Sequence, residues 1–261
     1  MTDSVTSHLA AQAAAVFDVF WRHRSIRHFL PHPIPAEHLT LLMQAAQRAS
    51  TDASAQMYTF VRISDAELRD KMAELAGNQE HIRTCAEYFI VCMDLYRLRR
   101  LIEYRGGTYG MGNRVGIIFG ILDAGLAAEN MAVAAEALGY GICFIGGVQN
   151  AVDEIARLLH LPQGVLPICG LCIGVPDPER IPKKPRPRLP QHVVFHENHY
   201  REYTDEDLEA CYREMAPASS RGDWYGVLAR YFAANGIMSR REAVMARAWR
   251  QQGLVPVPEE E

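Results

Sequence analysis

The segment VGIIFGILDAGLAAENMAVAAEAL (115–138) constrains the fold more than any other part of the chain. Its apolar residues fall on every side of a helix, so a helix formed there must be covered around most of its circumference, by protein or by lipid. A bilayer demands about 18 or more consecutive apolar residues, and Asp123, Glu129 and Glu136 interrupt the run first. The segment therefore reads as a buried central helix of a globular domain, ended by Leu138-Gly-Tyr-Gly141 in the manner of a glycine C-cap. Gly116, Gly120 and Gly125 would let another helix approach closely, one from a second subunit included. Asp123 and Glu129, six residues apart, project from opposite sides, which favours roles as caps or interface partners over an acid/base pair.

Cover for such a helix comes from strands and helices that mix without strict alternation. EYFIVCMDL (87–95) is a nearly continuous apolar run, as expected of a central strand buried on both faces. MYTFVRI (57–63), ICFIGGVQN (142–150) and VLPICGLCIGV (165–175) read as further strands, the second ending in a double glycine. Helices are expected over 4–22, 34–50, from a capping box at Ser64-Asp-Ala-Glu67, over 151–161, and in the tail around 204–215, 223–234 and 239–252. RLRRLIEYRGGTYGMGNR (97–114) has no clean period and reads as a glycine-rich loop, and the prolines of 177–190 impose an extended course. With no G-x-G-x-x-G fingerprint and no Walker loop, the class is α+β.

At 261 residues the chain can form one large domain or two small ones. A net charge of −4 gives no overall field for nucleic acid or an anionic membrane, so any anion site is local. Met1–Ala15 lacks the pattern of a secretory signal, which points to the cytoplasm. Six cysteines in mostly apolar contexts read as reduced, buried thiols. Cys169 and Cys172, three apart in a strand, would face opposite ways, which disfavours a dithiol pair. His192, His196 and His199 have helical metal spacing but sit among Val193, Val194 and Phe195, which favour extended chain, so no metal site is expected. Lys183–Arg188 is basic but lacks interleaved aromatics, and reads as a solvated or cofactor-facing stretch.

One place concentrates donors: in HRSIRHF (23–29), His23, Arg24, Arg27 and His28 surround Ser25. Arginine offers a fixed fork that suits phosphate oxygens, and a serine hydroxyl with backbone N–H groups can complete a cradle. Taken alone, the motif reads more readily as a solvated basic turn than as an anion site. HRSIRHF, LAGNQEHI, FIGGVQN, GLCIGVPD, PRPRLP and HVVFHENHY follow one another in order over about residues 15–205. That series resembles the nitroreductase family of FMN flavoproteins, in particular its oxygen-insensitive NADPH nitroreductases and NADPH–flavin oxidoreductases.

The resemblance implies an α+β nitroreductase-like fold, with a mixed, mainly antiparallel sheet flanked by helices. It implies an intertwined homodimer, residues 1–205 binding FMN and 206–261 forming a helical C-terminal extension on the core or the partner. His23, Arg24, Ser25 and Arg27 would hold the phosphate and ribityl end. Gln79 would bond the flavin or its ribityl chain, Thr51 and Gln56 would line the pocket from the partner's side, and Phe144, Ile145, Gly146 and Gly147 would run along the ring. Glycine suits that place because a residue without Cβ lets its backbone N–H approach flavin N5. Arg186 and Arg188 match a cationic pair near N1 and O2, where charge favours the reduced anion. Met215 stands where many NADPH-using relatives have an arginine for the 2′-phosphate; Arg213 or Arg221 would substitute, leaving NADH possible beside NADPH. Arg240 and Arg241 would meet an anionic acceptor. The implied activity is ping-pong hydride transfer from NAD(P)H to nitroaromatics, quinones or related electron-poor acceptors, with no catalytic side chain. The alternatives are a flavin reductase serving a separate monooxygenase and a non-catalytic flavin-binding protein.

Overall fold

In the computed structural model, which describes residues 13–110, 114–219 and 223–254, the sheet is built around β3 (Glu87–Asp94), every residue of which is buried. β3 pairs antiparallel with β2 (Tyr58–Arg62) on one side and with β5 (Val165–Pro176) on the other. Beyond β3, β5 pairs antiparallel with β4 (Gly141–Ile145) and, at its far end, with the short β1 (Phe29–Leu30). All these pairings are antiparallel; the parallel component of the expected mixed sheet is a bridge between Ser25 and Ile142.

β5 carries a proline, which cannot donate to a ladder. The β3–β5 register slips between Val91 and Cys92, so Ile168 bulges out beside Pro167. Gln149 repairs the interruption: its Nε2 donates to the carbonyls of Pro167 (3.2 Å) and Ile168 (2.5 Å).

The two faces of β3 have separate cores. Phe89 and Val91 face α2 (Ala36–Gln47) and α6 (Arg114–Ala137), which bring Leu42, Ala46, Ala124, Ala127, Ala128 and Met131. Tyr88, Ile90 and Cys92 face Ile63, α3 (Ala66–Leu75), α4 (Glu80–Thr84) and α7 (Val152–Leu158). Residues 13–22 form the helix α1.

α6 is long and apolar enough to cross a membrane by length and composition. Its alanine face instead packs on the sheet, and Asp123 at its middle is fully buried. It is thus a core helix on one side, while Ile118, Ile121, Leu122 and Leu126 on the other are exposed, so the expectation of burial all round holds only for one face. Gly120 serves close packing within the chain: a Cβ there would lie 3.3 Å from Met93 Cβ.

Two local expectations are corrected. Asp65, not Ser64, caps α3, accepting from Leu68 N at 2.8 Å. The stretch from Arg97 is not a loop at first: α5 spans Tyr96–Tyr104, with Leu98, Leu101 and Ile102 at helical spacing and the Asp94 carboxylate accepting from Arg97 N at 2.9 Å.

Contacts divide the described chain into two compact units, one of residues up to Pro182 together with those from Val244 on, the other Lys183–Ala243. The second unit holds α8 (Asp205–Met215) and α9 (Trp224–Phe232), and α10 (Ile237–Gln251) begins in it. Thr204 and Asp207 form a reciprocal capping box at the start of α8.

Candidate functional site

β4 ends at Ile145 and the chain turns at once into a 3-10 turn over Gly146–Asn150. The two glycines at this corner have opposite surroundings. A Cβ on Gly147 would meet Ala76 O at 2.1 Å and Gln79 Nε2 at 2.5 Å, whereas one on Gly146 would meet nothing within 4 Å. Gly147 is therefore required by packing, and Gly146 leaves open backbone at the surface. Phe144, just before, is the one exposed residue of β4.

Gln79 reaches this corner because the chain after α3 passes through two left-handed residues, Gly77 (φ 94°) and Asn78 (φ 57°). Arg83 braces the bend, donating to Asn78 Oδ1 (2.8 Å) and to Asp70. The Gln79 amide in turn donates to Ala76 O at 2.7 Å. Gln79 thus lies against the backbone of Gly147.

The basic motif enters from the other end of β4. Ser25 bridges Ile142, Ile26 N donates to Ile142 O at 2.8 Å, and Ile26 covers Gly141, whose added Cβ would clash at 2.6 Å. The motif's side chains part to two places. His23 Nδ1 donates to Glu136 at 2.9 Å. Arg24 lines a hollow of about 180 Å³ with Arg22, Glu136 and Tyr140, and its Nε is buried without a hydrogen-bond partner. Arg27 and His28 lie instead near His81 of α4.

His81 is a residue that sequence reasoning missed, although it lies in the quoted LAGNQEHI. It is buried beside Cys143, with Nε2 3.9 Å from Sγ. Burial, reinforced by the charges of Arg27 and His28, lowers its pKa to about 4. It is neutral at pH 7, so the guanidinium of Arg27 is the fixed cation of this place.

Thr51 and Gln56 lie on a separate loop whose backbone is left-handed at Ala53, Ser54 and Gln56. That loop is pinned from below, since Asp123 accepts from Asp52 N (3.0 Å) and Met57 N (2.9 Å). Asp123 is accordingly a loop cap, one of the two roles expected of it. Gln56 opens on a different hollow, of about 860 Å³, with Tyr58, Phe60, Arg62, Arg97 and Leu101.

In the second unit Arg186 and Arg188 are exposed on irregular chain, and Arg188 donates to the carbonyls of Arg186 and Pro187. Arg213 is exposed in the last turn of α8, which Met215 ends. Arg240 donates to Asn235 O at 3.3 Å, and Arg241 lies 3.8 Å from Met238 Sδ. Arg221 lies outside the described residues.

The competing motifs resolve into structure. Cys169 and Cys172 belong to the opposite cores; burial pushes the Cys169 thiol up to about 12, and Cys172 pairs with Cys85. His192 bonds Asp207 (3.1 Å) and His196 packs on Tyr200 and Tyr203. Among the described residues no group of three or more His, Cys, Asp or Glu side chains is arranged to hold a metal.

At one end of β4 an open glycine backbone stands near an exposed aromatic side chain with a carboxamide behind it, and arginine and histidine stand at the strand's other end. The family model "Nitroreductase family" matches residues 21–175. The chain belongs to that family. It is 40% identical over 186 residues, 70% of this chain and 74% of the relative, to the protein named FMN reductase (NADPH) of Bacillus subtilis. It is 35% identical to the NADPH-flavin oxidoreductase of Vibrio harveyi over 74% of this chain and 78% of that one. The crystal structure of nitroreductase A from Vibrio parahaemolyticus superposes with a TM-score of 0.82 at 30% identity, covering 92% of this chain and 97% of that one.

Proposed function

We propose that the protein is an FMN-dependent NADPH oxidoreductase that reduces nitroaromatics, quinones or related electron-poor acceptors by a ping-pong course. The observation that carries this is the contrast at the end of β4: Gly147 is closed by Ala76 and Gln79, while Gly146 presents bare backbone to solvent. The residues fit FMN, since Arg24 Nε is a buried donor lacking an acceptor and no side chain screens Gly146. When bound, FMN supplies the hydride chemistry.

The chain's own groups bind and orient. His23, Arg24 and Ser25 would hold one part of the phosphate and ribityl end and Arg27, turned toward His81, another; Gln79 would fix the ring edge, and the backbone N–H at Gly146 would face ring nitrogen N5. Arg186 and Arg188 would add the positive charge that favours the reduced anion. Reductant and acceptor use the same open face beside Phe144 and Gly146, so one leaves before the other enters. NADH is a poorer substitute for NADPH in this reading.

The protein acts in the cytoplasm as a homodimer, with residues 1–205 binding flavin and 206–261 forming an extension; Thr51 and Gln56 reach the partner's flavin. The exposed apolar face of α6 supports dimerisation, because Ile118, Ile121, Leu122 and Leu126 need cover. The names of the two relatives favour a second reading, release of reduced FMN to a partner monooxygenase.

The test is the visible spectrum of the purified protein, followed by NADPH oxidation with a nitroaromatic, a quinone or free FMN as acceptor. Arg24→Ala with Arg27→Ala should leave a folded, largely colourless protein, since two charge-assisted contacts of about 1.5–3 kcal/mol each are removed. Stoichiometric flavin in that variant would refute the phosphate assignment; turnover faster with free FMN than with all other acceptors would select the second reading.

A further inference from the structure

Three cysteines gather in the core that faces α3, α4 and α7: Cys85, Cys143 and Cys172. Cys143 on β4 and Cys172 on β5 are directly opposed in register, and both are free thiols. Residues opposed across an antiparallel pair share a face, with Cα atoms about 4.5 or 5.5 Å apart. Both separations fall inside the window of about 4.4–6.8 Å that a disulfide spans. Among the described residues no other two cysteines of the sheet are opposed: Cys92 stands across from Thr59 and Pro167, and Cys169 from Val91.

The surroundings suit a reacting pair. His81 Nε2 lies 3.9 Å from Cys143 Sγ, and the imidazole, neutral at pH 7, offers an acceptor for the S–H. On the far side of Cys172 its β3 partner is Tyr88, whose buried hydroxyl has no hydrogen-bond partner. That hydroxyl stands over Gly170, two residues along β5, where an added Cβ would meet it at 2.5 Å. An oxygen atom carried on sulfur is an acceptor of the kind it lacks. The group does not have the geometry to hold a metal, so its chemistry is that of sulfur. The cover over Cys143 is thin. Beyond the Ser25 bridge at Ile142, β4 has no strand on its outer side among the described residues, and Phe144 next to Cys143 is exposed. His81 belongs to a helix of five residues. Hydrogen peroxide, uncharged and little larger than water, enters through a local opening of that single turn.

We propose that Cys143 and Cys172 are a reversible modification site at which hydrogen peroxide forms a cross-strand disulfide, with His81 as the base. The Cys143 sulfur attacks one peroxide oxygen as its proton passes to His81. The O–O bond breaks, the departing hydroxide takes that proton and leaves as water, and Cys143 becomes a sulfenic acid. The Cys172 sulfur then attacks the Cys143 sulfur, the S–O bond breaks, and a second water leaves with the Cys172 proton. The two thiols give up two electrons and two protons in all, and the peroxide is reduced to two water molecules. A dithiol reverses the modification by exchange.

The test uses the full-length protein as purified, exposed to hydrogen peroxide, alkylated under denaturing conditions, digested and mapped by mass spectrometry. The peptides of Cys143 and Cys172 should appear joined, lighter by two hydrogens than their sum, and treatment with dithiothreitol before alkylation should return both as alkylated thiols. Cys143→Ser and Cys172→Ala should each abolish the joined peptide, and Cys85→Ser should keep it. His81→Gln should slow its formation about tenfold or more, as loss of a base does. The wild-type map decides the pair even where a variant fails to fold. A Cys85–Cys172 link in place of the expected one overturns the assigned pair. Sulfinic or sulfonic acid without a joined peptide, or thiols at 143 and 172 that survive peroxide able to oxidise free cysteine, overturns the site. An unchanged rate in folded His81→Gln overturns the part given to the histidine.

Discussion

Adding one methyl group to each of two adjacent glycines should separate folding from cofactor binding. At Gly147 the new Cβ would stand 2.1 Å from Ala76 O and 2.5 Å from Gln79 Nε2. Gln79 can swing aside, but Ala76 O is backbone at the end of α3, so the corner of β4 or that helix end must move by about 1 Å. Overpacking of this kind costs about 1–3 kcal/mol, and a rigid partner puts Gly147→Ala at about 3. Gly146→Ala meets no atom within 4 Å and should change stability by less than about 0.5 kcal/mol, the usual range for a surface substitution. Its effect should fall on flavin, because the methyl occupies the face left bare for the ring. Urea unfolding of the flavin-free proteins measures the first quantity, and the ratio of flavin to protein absorbance after gel filtration measures the second. Gly147→Ala as stable as wild type would remove the packing argument, and Gly146→Ala with full flavin content would place the ring elsewhere.

Asp123→Ala leaves the N–H of Met57 buried without an acceptor, at about 1–3 kcal/mol, and frees that of the exposed Asp52; a urea midpoint showing a loss under about 1 kcal/mol would mean the loop is held by something else. His81 has a folded pKa of about 4 against about 6.5 unfolded. The unfolded chain therefore takes up the proton first on acidification, so the stability this group contributes is full above about pH 6.5 and is lost as the pH falls toward 4. The loss between pH 7 and 5 should be about 1–2 kcal/mol, and His81→Gln should flatten that slope; an identical acid profile for the variant would contradict it. The Tyr88 hydroxyl is buried with no partner, so Tyr88→Phe should be neutral or stabilising by up to about 1 kcal/mol, and a marked drop in thermal midpoint would show that the hydroxyl is bonded after all.

Burial and period made most of the fold legible. The apolar run 87–95 reads as a central strand because both of its faces are covered, and the 115–138 segment reads as a core helix because three carboxylates interrupt its apolar run. What the run could not show is that one side of α6 is bare in a single chain, since composition does not distinguish cover by the same chain from cover by another. α5 is hidden for a different reason: the glycines that follow it lend the whole of 97–114 the composition of a loop, and the helix start depends on Asp94, a strand residue. Pro167 inside β5 would argue against a strand by rule, and Gln149, eighteen residues earlier, is what makes it tolerable.

The site was legible to the extent that local sequence specifies it. Arginine around serine announces an anion, and a double glycine after a strand announces a close backbone approach, but neither motif says which of its members does the work. The fold makes that division. Because Ser25 bridges Ile142 in extended backbone, the flanking arginines part, Arg24 toward Glu136 and Arg27 toward His81. Because Ala76 and Gln79 press on Gly147, only Gly146 is free to meet a ring. The sequence does not reveal His81 as a site residue, and it reads Asp123 as a cap or interface partner without its target, since each acts across 60 or more positions, on Cys143 and on the 52–57 loop, a separation at which no spacing rule operates. Replacing either should therefore disturb the cofactor without touching it: Asp123→Asn keeps one acceptor for two N–H groups and should retain more flavin than Asp123→Ala, and equal retention by the two would show that the loop's position does not matter to the site.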